Sequence, residues 1–193
     1  MLRRLLVPVL AASALTLGAP LTAHAATLNL DDARGDVHRL VDGPTGEEFE
    51  RAVGERRADI LRTTIRHTRG ALVVRTKLLE LRREGNIAMA MRLRTNDGTY
   101  REGGVQASRR IGWRGQSSLM GRRARAVECA TEHNLDYAKD VITLRIPRSC
   151  MSDPRWVQAT VVSLSFSRRQ FLVDNPHNER VGFRVWSSRI RRG

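Results

Sequence analysis

Three aspartates near the start of the chain, Asp31, Asp32 and Asp36, are the first residues that could do chemistry. Calcium is a hard cation that is bound by several carboxylate and carbonyl oxygens, so these side chains form a candidate calcium site. Their spacing differs from that of an EF-hand, which has aspartates at alternate positions and a distal glutamate. A solvated acidic turn is the other interpretation, and the sequence indicates no other cofactor.

The histidines and serines carry no recognised catalytic pattern, so we assign no catalytic residue. Ser117 and Ser118 follow Gly115-Gln116, which is not the Gly-x-Ser-x-Gly turn of a nucleophilic serine. No two histidines have the i, i+4 spacing of a helical zinc site. A hydrolase with an unrecognised site stays as an alternative. The histidines beyond residue 25 are His38, His67, His133 and His177.

A segment rich in arginine between residues 109 and 125 is the candidate ligand-binding site. Arginine makes bidentate contacts with phosphate and carboxylate groups, and a tryptophan can stack on a sugar ring. The alternative is a solvated surface whose arginines reflect codon usage, with the tryptophan anchoring a loop to the domain. The residues are Arg109, Arg110, Trp113, Arg114, Arg122, Arg123 and Arg125.

The chain has two cysteines, Cys129 and Cys150, at the outer ends of two apolar runs that predict a β-hairpin. We predict that they form a disulfide, which would close a loop of ~20 residues and contribute about 3 kcal/mol. Two buried free thiols are the alternative. The absence of a Cys-x-x-Cys motif argues against a thioredoxin-type dithiol or a zinc knuckle.

Residues 1–25 have the three parts of a signal peptide. Arg3 and Arg4 precede an apolar run from Leu5 to Leu17, and Ala23-His24-Ala25 offers the small residues of a cleavage site. The run is shorter than the ~20 residues that span a bilayer, and we predict no transmembrane segment. A buried N-terminal helix is the alternative. The protein is therefore predicted to be secreted, with its cysteines in an oxidising environment.

The charge distribution is uneven along the chain. The formal net charge is +14. Residues 26–100 contain 14 basic and 12 acidic residues, whereas residues 101–193 contain 18 basic and 8 acidic ones. Such asymmetry predicts a surface that attracts polyanions. Predicted export argues against nucleic acid as a physiological partner, and the sequence does not indicate an oligomeric state.

Alternating hydrophobic residues predict strands along most of residues 26–193. We expect one all-β domain, a β-sandwich or jelly-roll-like fold of about eight antiparallel strands with one disulfide-closed hairpin. Two segments depart from this pattern. Residues 45–54 have capping-box spacing and predict a short helix or a loop, and residues 112–125 predict a long loop.

Three motifs together resemble small secreted actinobacterial proteins of unassigned function. They are Asp31-x-x-x-Gly35-Asp36, Asp59-Ile60 followed by Arg66-His67-Thr68-Arg69-Gly70, and the segment 144–151 that contains Cys150. Their pattern is in turn similar to carbohydrate-binding β-sandwiches of the DOMON or family-9 module type. The resemblance implies a β-sandwich fold, an extracellular location and glycan binding.

These observations favour a non-enzymatic secreted domain that binds an extracellular or cell-envelope polymer, either anionic or saccharide. The expected contacts come from the arginine-rich segment, with Trp113 as a stacking platform. The alternative from a different class is a structural or protein-interaction domain whose edge strands pair with a partner.

Overall fold

The computed structural model describes residues 26–44, 46–168, 170–177, 181–183 and 185–193. The signal-peptide prediction for residues 1–25 lies outside these ranges. Within them, no helix has the length and apolar character needed to cross a membrane.

Thirteen strands make up nearly all of the regular structure in these ranges. Two short 3₁₀ turns are the helical elements, at Arg122–Ala124 and Arg148–Met151. The strands are β1 Ala26–Asp31, β2 His38–Gly43, β3 Gly46–Arg51, β4 Ile60–His67, β5 Ala71–Leu78, β6 Asn86–Thr95, β7 Tyr100–Ser108, β8 Gly112–Met120, β9 Glu132–Asp136, β10 Val141–Pro147, β11 Trp156–Phe166, β12 Phe171–Asp174 and β13 Ile190–Arg191.

The strands form two antiparallel sheets that enclose one main hydrophobic core. The smaller sheet has the order β1-β4-β5-β10-β9, and the larger has the order β3-β2-β12-β11-β6-β7-β8, with β13 pairing with β11. Alternate residues of β6, such as Met89 and Leu93, are buried against Ile65 and Leu144 of the smaller sheet. Period-two burial from both sheets is the packing of a β-sandwich, which confirms the predicted fold class.

The predicted helix or loop over residues 45–54 is wrong for residues 46–51. Gly46–Arg51 is strand β3, which pairs with β2 so that Phe49 lies opposite Leu40. A short segment with glycine near both ends gains little from a capping box, because helix nucleation is costly. The backbone hydrogen bonds of an existing sheet edge outweigh that weak local preference. Thr45, the first residue of that segment, lies outside the described residues.

The predicted loop over residues 112–125 is wrong for its first two thirds. Gly112–Met120 is strand β8, which pairs with β7 and is an outermost strand of the larger sheet. Its outer face carries Arg114, Gln116 and Ser118, all exposed. A strand at the edge of a sheet can be polar over most of its length, so its sequence has no hydrophobic alternation to detect.

The predicted disulfide hairpin is confirmed. Strands β9 and β10 pair directly, with Val141 opposite Asp136. Cys129 and Cys150 form a disulfide with a Cα–Cα distance of 5.9 Å. The alternative of two free thiols is therefore excluded.

Candidate functional site

A group of buried and half-buried aspartates lies where the two sheets meet. Asp32 and Asp36 belong to the β1–β2 connection, and Asp174 is the last residue of β12. One side-chain oxygen from each of these three residues lies within 4.8 Å of the other two. Asp59, immediately before β4, borders them. We refer to Asp32, Asp36, Asp59 and Asp174 as the acidic centre.

Asp31 is not part of the acidic centre. It lies on β1 opposite Arg62 of β4, and its exposed carboxylate forms an ion pair with the Arg62 guanidinium. Neighbouring residues of a strand point to opposite faces, so Asp31 and Asp32 cannot both face inward. The structure thus brings together two of the three aspartates that the sequence singles out.

Backbone N–H groups hold two of the carboxylates in place. Gly35 N donates to Asp59 Oδ2 at 2.9 Å. Ile60 N, at the start of β4, donates to Asp174 Oδ2 at 2.7 Å, and Asn175 N donates to Asp174 Oδ1 at 2.8 Å. The Ile60–Asp174 bond links the smaller sheet to the larger one. The acidic centre therefore includes a hydrogen-bonded connection between the two sheets.

The acidic centre concentrates negative charge away from water. Asp59 is 0% exposed and Asp174 is 3% exposed. Burial, followed by the charge of Asp36, raises the pKa of Asp32 to about 7. Burial is also the main cause that raises the pKa of Asp174 to about 8, with further contributions from Asp32 and Asp36. Burial raises the pKa of Asp59 as well. Folding therefore places these carboxyls where ionisation is unfavourable.

These pKa values predict how stability changes with pH in the presence of a chelator. Unfolded aspartates ionise near pH ~3.9. The folded protein holds protons on Asp32 and Asp174 up to about pH 7 and 8. Their contribution is complete below the unfolded pKa and is lost as pH rises through the folded values. We expect the free energy of unfolding in EDTA to fall between about pH 5 and about pH 8, as measured by urea denaturation.

The Asp174→Asn variant is the control for this pH dependence, because it removes one titrating group and leaves every histidine in place. Its stability should fall less steeply with pH over the same range. Equal slopes for the variant and the wild-type protein would contradict the assignment of the raised pKa to Asp174.

The arginine-rich segment does not form one cluster. Arg109 and Arg110 lie in the β7–β8 turn, whereas Arg122 and Arg123 lie in the 3₁₀ turn beyond the other end of β8. Eight steps of about 3.3 Å separate the first and last residues of β8, so the two groups are roughly 26 Å apart. Arg114 and Trp113 lie near the first group, and Arg125 lies near the second. This segment therefore does not form a single ligand-binding loop.

Trp113 lies in an open cleft where the outermost strands β8 and β9 of the two sheets approach each other. The cleft has a volume of about 700 Å³, within the ~300–1,000 Å³ that is typical of ligand sites. We refer to it as the Trp113 cleft. Its principal lining residues are Arg83, Trp113, Arg114, His133, Asn134 and Tyr137.

Hydrogen bonds and ring contacts organise this cleft. The Tyr137 hydroxyl donates to the backbone oxygen of Trp113 at 2.8 Å. The Arg83 guanidinium lies 4.8 Å from the centre of the Tyr137 ring, within cation–π range. Trp113 and Tyr137 are partly buried against the main core, so each ring is held by packing. The cleft thus presents aromatic surface, two cations and polar side chains, and its two aromatic rings are held in place by packing against the core.

His133, which lines the cleft, forms a hydrogen bond with Ser117. The distance between Ser117 Oγ and His133 Nδ1 is 3.0 Å, and Ser117 Oγ is also 2.8 Å from Thr131 Oγ1. A serine activated by a histidine needs a third group that orients the ring. Among the described residues, no carboxylate forms a hydrogen bond with His133. The interaction instead joins β8 to the β9 side of the sandwich.

The second arginine group lines another open cleft, of about 650 Å³. Arg122 and Arg123 form one side of it, and Tyr100, Glu102 and Met120 form the other. Glu102 accepts a hydrogen bond from the Tyr100 hydroxyl at 3.1 Å and also pairs with Arg92 on the neighbouring strand. This cleft therefore carries its own carboxylate, unlike the Trp113 cleft.

Several residues of these sites carry no local signal in the sequence. Asp59 stands out only within the Asp59-Ile60 motif, and nothing near Asp174 marks it as a site residue, because each lies far along the chain from Asp32. Arg83 lies between β5 and β6, whereas Asn134 and Tyr137 lie in and directly after β9. Both segments join Trp113 only through folding. Comparisons with protein-family models, curated proteins and solved structures find nothing that matches this chain.

Proposed function

We propose that the protein is a secreted, non-enzymatic binding domain for an extracellular or cell-envelope polymer, either anionic or saccharide, and that the Trp113 cleft is its binding site. The observation that supports this most is the assembly of two aromatic rings and two arginines in one open cleft. The cleft is open to solvent between the outermost strands β8 and β9, so it can accept part of a longer polymer.

The aromatic residues support contact with sugar rings. Trp113 and Tyr137 are tied together by the Tyr137 hydrogen bond and packed against the core, so a ligand would meet surfaces that lose little freedom on binding. Asn134 is an exposed cleft residue whose amide can both donate and accept hydrogen bonds. Rigid aromatic faces beside the Asn134 amide match the alternation of apolar and hydroxyl surfaces on a saccharide.

The charges support contact with anionic groups. Among the described residues, neither Arg83 nor Arg114 forms an ion pair with a carboxylate. Arg109 and Arg110 lie in the adjacent turn, which extends the positive surface. Arginines without an acidic partner are suited to bidentate contacts with phosphate or carboxylate. The favoured ligand is a polymer that carries such groups on sugars or along its backbone.

Binding to purified cell wall tests this proposal. We expect the protein to be retained and to elute as salt increases, because contacts between exposed charges are screened. The Arg83→Ala/Arg114→Ala variant should lose at least about tenfold in affinity, since each charged hydrogen bond contributes about 1.5–3 kcal/mol. Asn134→Ala should weaken binding less, and its exposed position leaves the fold unchanged.

The Arg122→Ala/Arg123→Ala variant is the matched control. It removes the same charge from the opposite end of β8, so any loss caused by net charge alone would affect both double variants equally. Equal losses would contradict a role for the Trp113 cleft. Retention that does not respond to salt but falls in Trp113→Ala would identify a neutral saccharide.

An exposed edge strand supports the second candidate, a protein-interaction domain. All six residues of β3 are exposed, and Phe49 on this strand is 44% exposed. Phe49 borders an apolar cleft with Phe171 and Phe183. An unpaired edge beside an apolar cleft is the surface that β-strand addition uses. No retention on cell wall by the wild-type protein would favour this candidate over polymer binding.

A further inference from the structure

We infer that the acidic centre binds one calcium ion, which joins the two sheets of the sandwich. This site is separate from the Trp113 cleft, and the inference does not depend on polymer binding. Its ligands would come from Asp32 and Asp36 in the β1–β2 connection and from Asp174 at the end of β12. Asp59, immediately before β4, borders these three.

The spacing of the oxygen atoms fits a single ion. Calcium binds oxygen at about 2.3–2.6 Å, so two ligands on opposite sides of one ion are at most roughly 5 Å apart. The oxygens of Asp32, Asp36 and Asp174 all lie within 4.8 Å of one another. One ion can therefore contact all three. A wider separation would leave room only for an ion bound through water.

Asp59 supplies an independent indication of a ligand. Its side chain is 0% exposed, and its Oδ1 atom is buried without a hydrogen-bond donor among the described residues. An oxygen in that position needs a compensating partner, because burying a carboxylate without one is costly. Gly35 N holds Asp59 Oδ2 beside Asp36, and Ile60 N ties the next residue to Asp174. Asp59 is thus fixed at the border of the oxygen cluster.

The surroundings of Asp32, Asp59 and Asp174 also favour a bound divalent cation, because hydrogen bonds and ion pairs within the described part of the chain do not compensate the charge of these carboxylates. Among the described residues, Asp32, Asp59 and Asp174 form no ion pair with an arginine or lysine. The buried Oδ2 atom of Asp32 also lacks a donor among them. Calcium is preferred to magnesium here, because magnesium retains several waters and is seldom enclosed by protein ligands alone.

Binding at this position would hold two distant parts of the chain together. The β1–β2 connection and the end of β12 are separated by up to 142 residues between Asp32 and Asp174. The ion would bind the folded state and not the unfolded chain, so it would stabilise the protein through mass action. Extracellular calcium modules have dissociation constants of about 10⁻⁴–10⁻³ M.

Thermal unfolding of the full protein, in EDTA and in about 10 mM calcium chloride, tests the inference. We expect calcium to raise the melting temperature of the wild-type protein by about 5 °C, and magnesium at the same concentration to raise it less. Asp32→Asn and Asp174→Asn should abolish the shift. Isothermal titration of the wild-type protein with calcium chloride should give one bound ion per chain.

The Asp31→Asn variant is the matched control, because it removes the same charge from the adjacent residue, whose carboxylate is exposed and paired with Arg62. It should keep the full calcium shift. A shift lost equally in Asp31→Asn would indicate nonspecific charge screening and would overturn the inference. Titration of the wild-type protein that detects no bound calcium would also overturn it, whether or not the aspartate variants fold.

Discussion

Removal of the disulfide, in a Cys129→Ala/Cys150→Ala variant, is expected to lower the free energy of unfolding by about 3 kcal/mol. The two cysteines are separated by 21 residues, and the bond limits the conformations of that loop in the unfolded chain. The bond also joins the β9–β10 hairpin to the segment that follows β8. Chemical denaturation, with the calcium concentration held fixed, measures the difference in free energy.

Reduction of the wild-type protein is the control that separates the cross-link from packing. Both cysteines are partly buried against the main core, so truncation to alanine also removes some contact area. Reduced wild-type protein should lose nearly as much stability as the double variant. If reduction changes the free energy of unfolding by less than about 1 kcal/mol, the disulfide does not stabilise the fold to the extent expected from its loop length.

The second large effect is expected at Gly104 on β7. A Cβ atom at this position would overlap the carbonyl oxygen of Met89 and lie 3.0 Å from the Cα atom of Ala90. Both of those residues belong to β6, which has strands on either side and cannot shift without disturbing them. We therefore expect Gly104→Ala to lower the free energy of unfolding by about 3 kcal/mol and the melting temperature by about 10 °C.

Gly121→Ala provides the comparison. A Cβ at Gly121 would lie no closer than 3.7 Å to its neighbours, and the backbone there is extended with φ −89°. This change should stay within about 0.5 kcal/mol of the wild-type protein. If the two alanine variants are equally stable, the close approach of β7 to β6 does not constrain the residue at position 104.

The alternation of hydrophobic and polar residues is enough to predict the fold class, because each strand shows this alternation in its own sequence. The hydrophobic residues of β6 and the two runs around Cys129 and Cys150 show the required period without reference to any other part of the chain. The disulfide followed from the same hairpin, since its outer ends must be close together. The number of strands was underestimated, because β8 is polar and β3 has a weak helix-like pattern.

The candidate sites were predicted only in part, and the reason is the distance along the chain between their members. Asp32 and Asp36 are close in sequence and can be grouped from it. Asp59 and Asp174 come near them only because the two sheets pack against each other. In the same way, Trp113 was singled out, while Arg83 and Tyr137 were not. Proximity in sequence also groups side chains that do not share a site. Asp31 faces solvent although it is next to Asp32, and strand β8 separates the arginines of residues 109–125 into two groups.

Features that depend on near neighbours can be read directly from the chain: the strand alternation, the disulfide hairpin and the excess of positive charge in residues 101–193. Which side chains share a site depends instead on how the sheets pack. Folding gathers four aspartates at one junction, three of them buried, and places two aromatic rings beside arginines that have no carboxylate partner among the described residues. Side chains separated by 100 residues meet because packing of the two apolar sheet faces brings their loops together, and that long-range contact leaves no periodic signal in the chain.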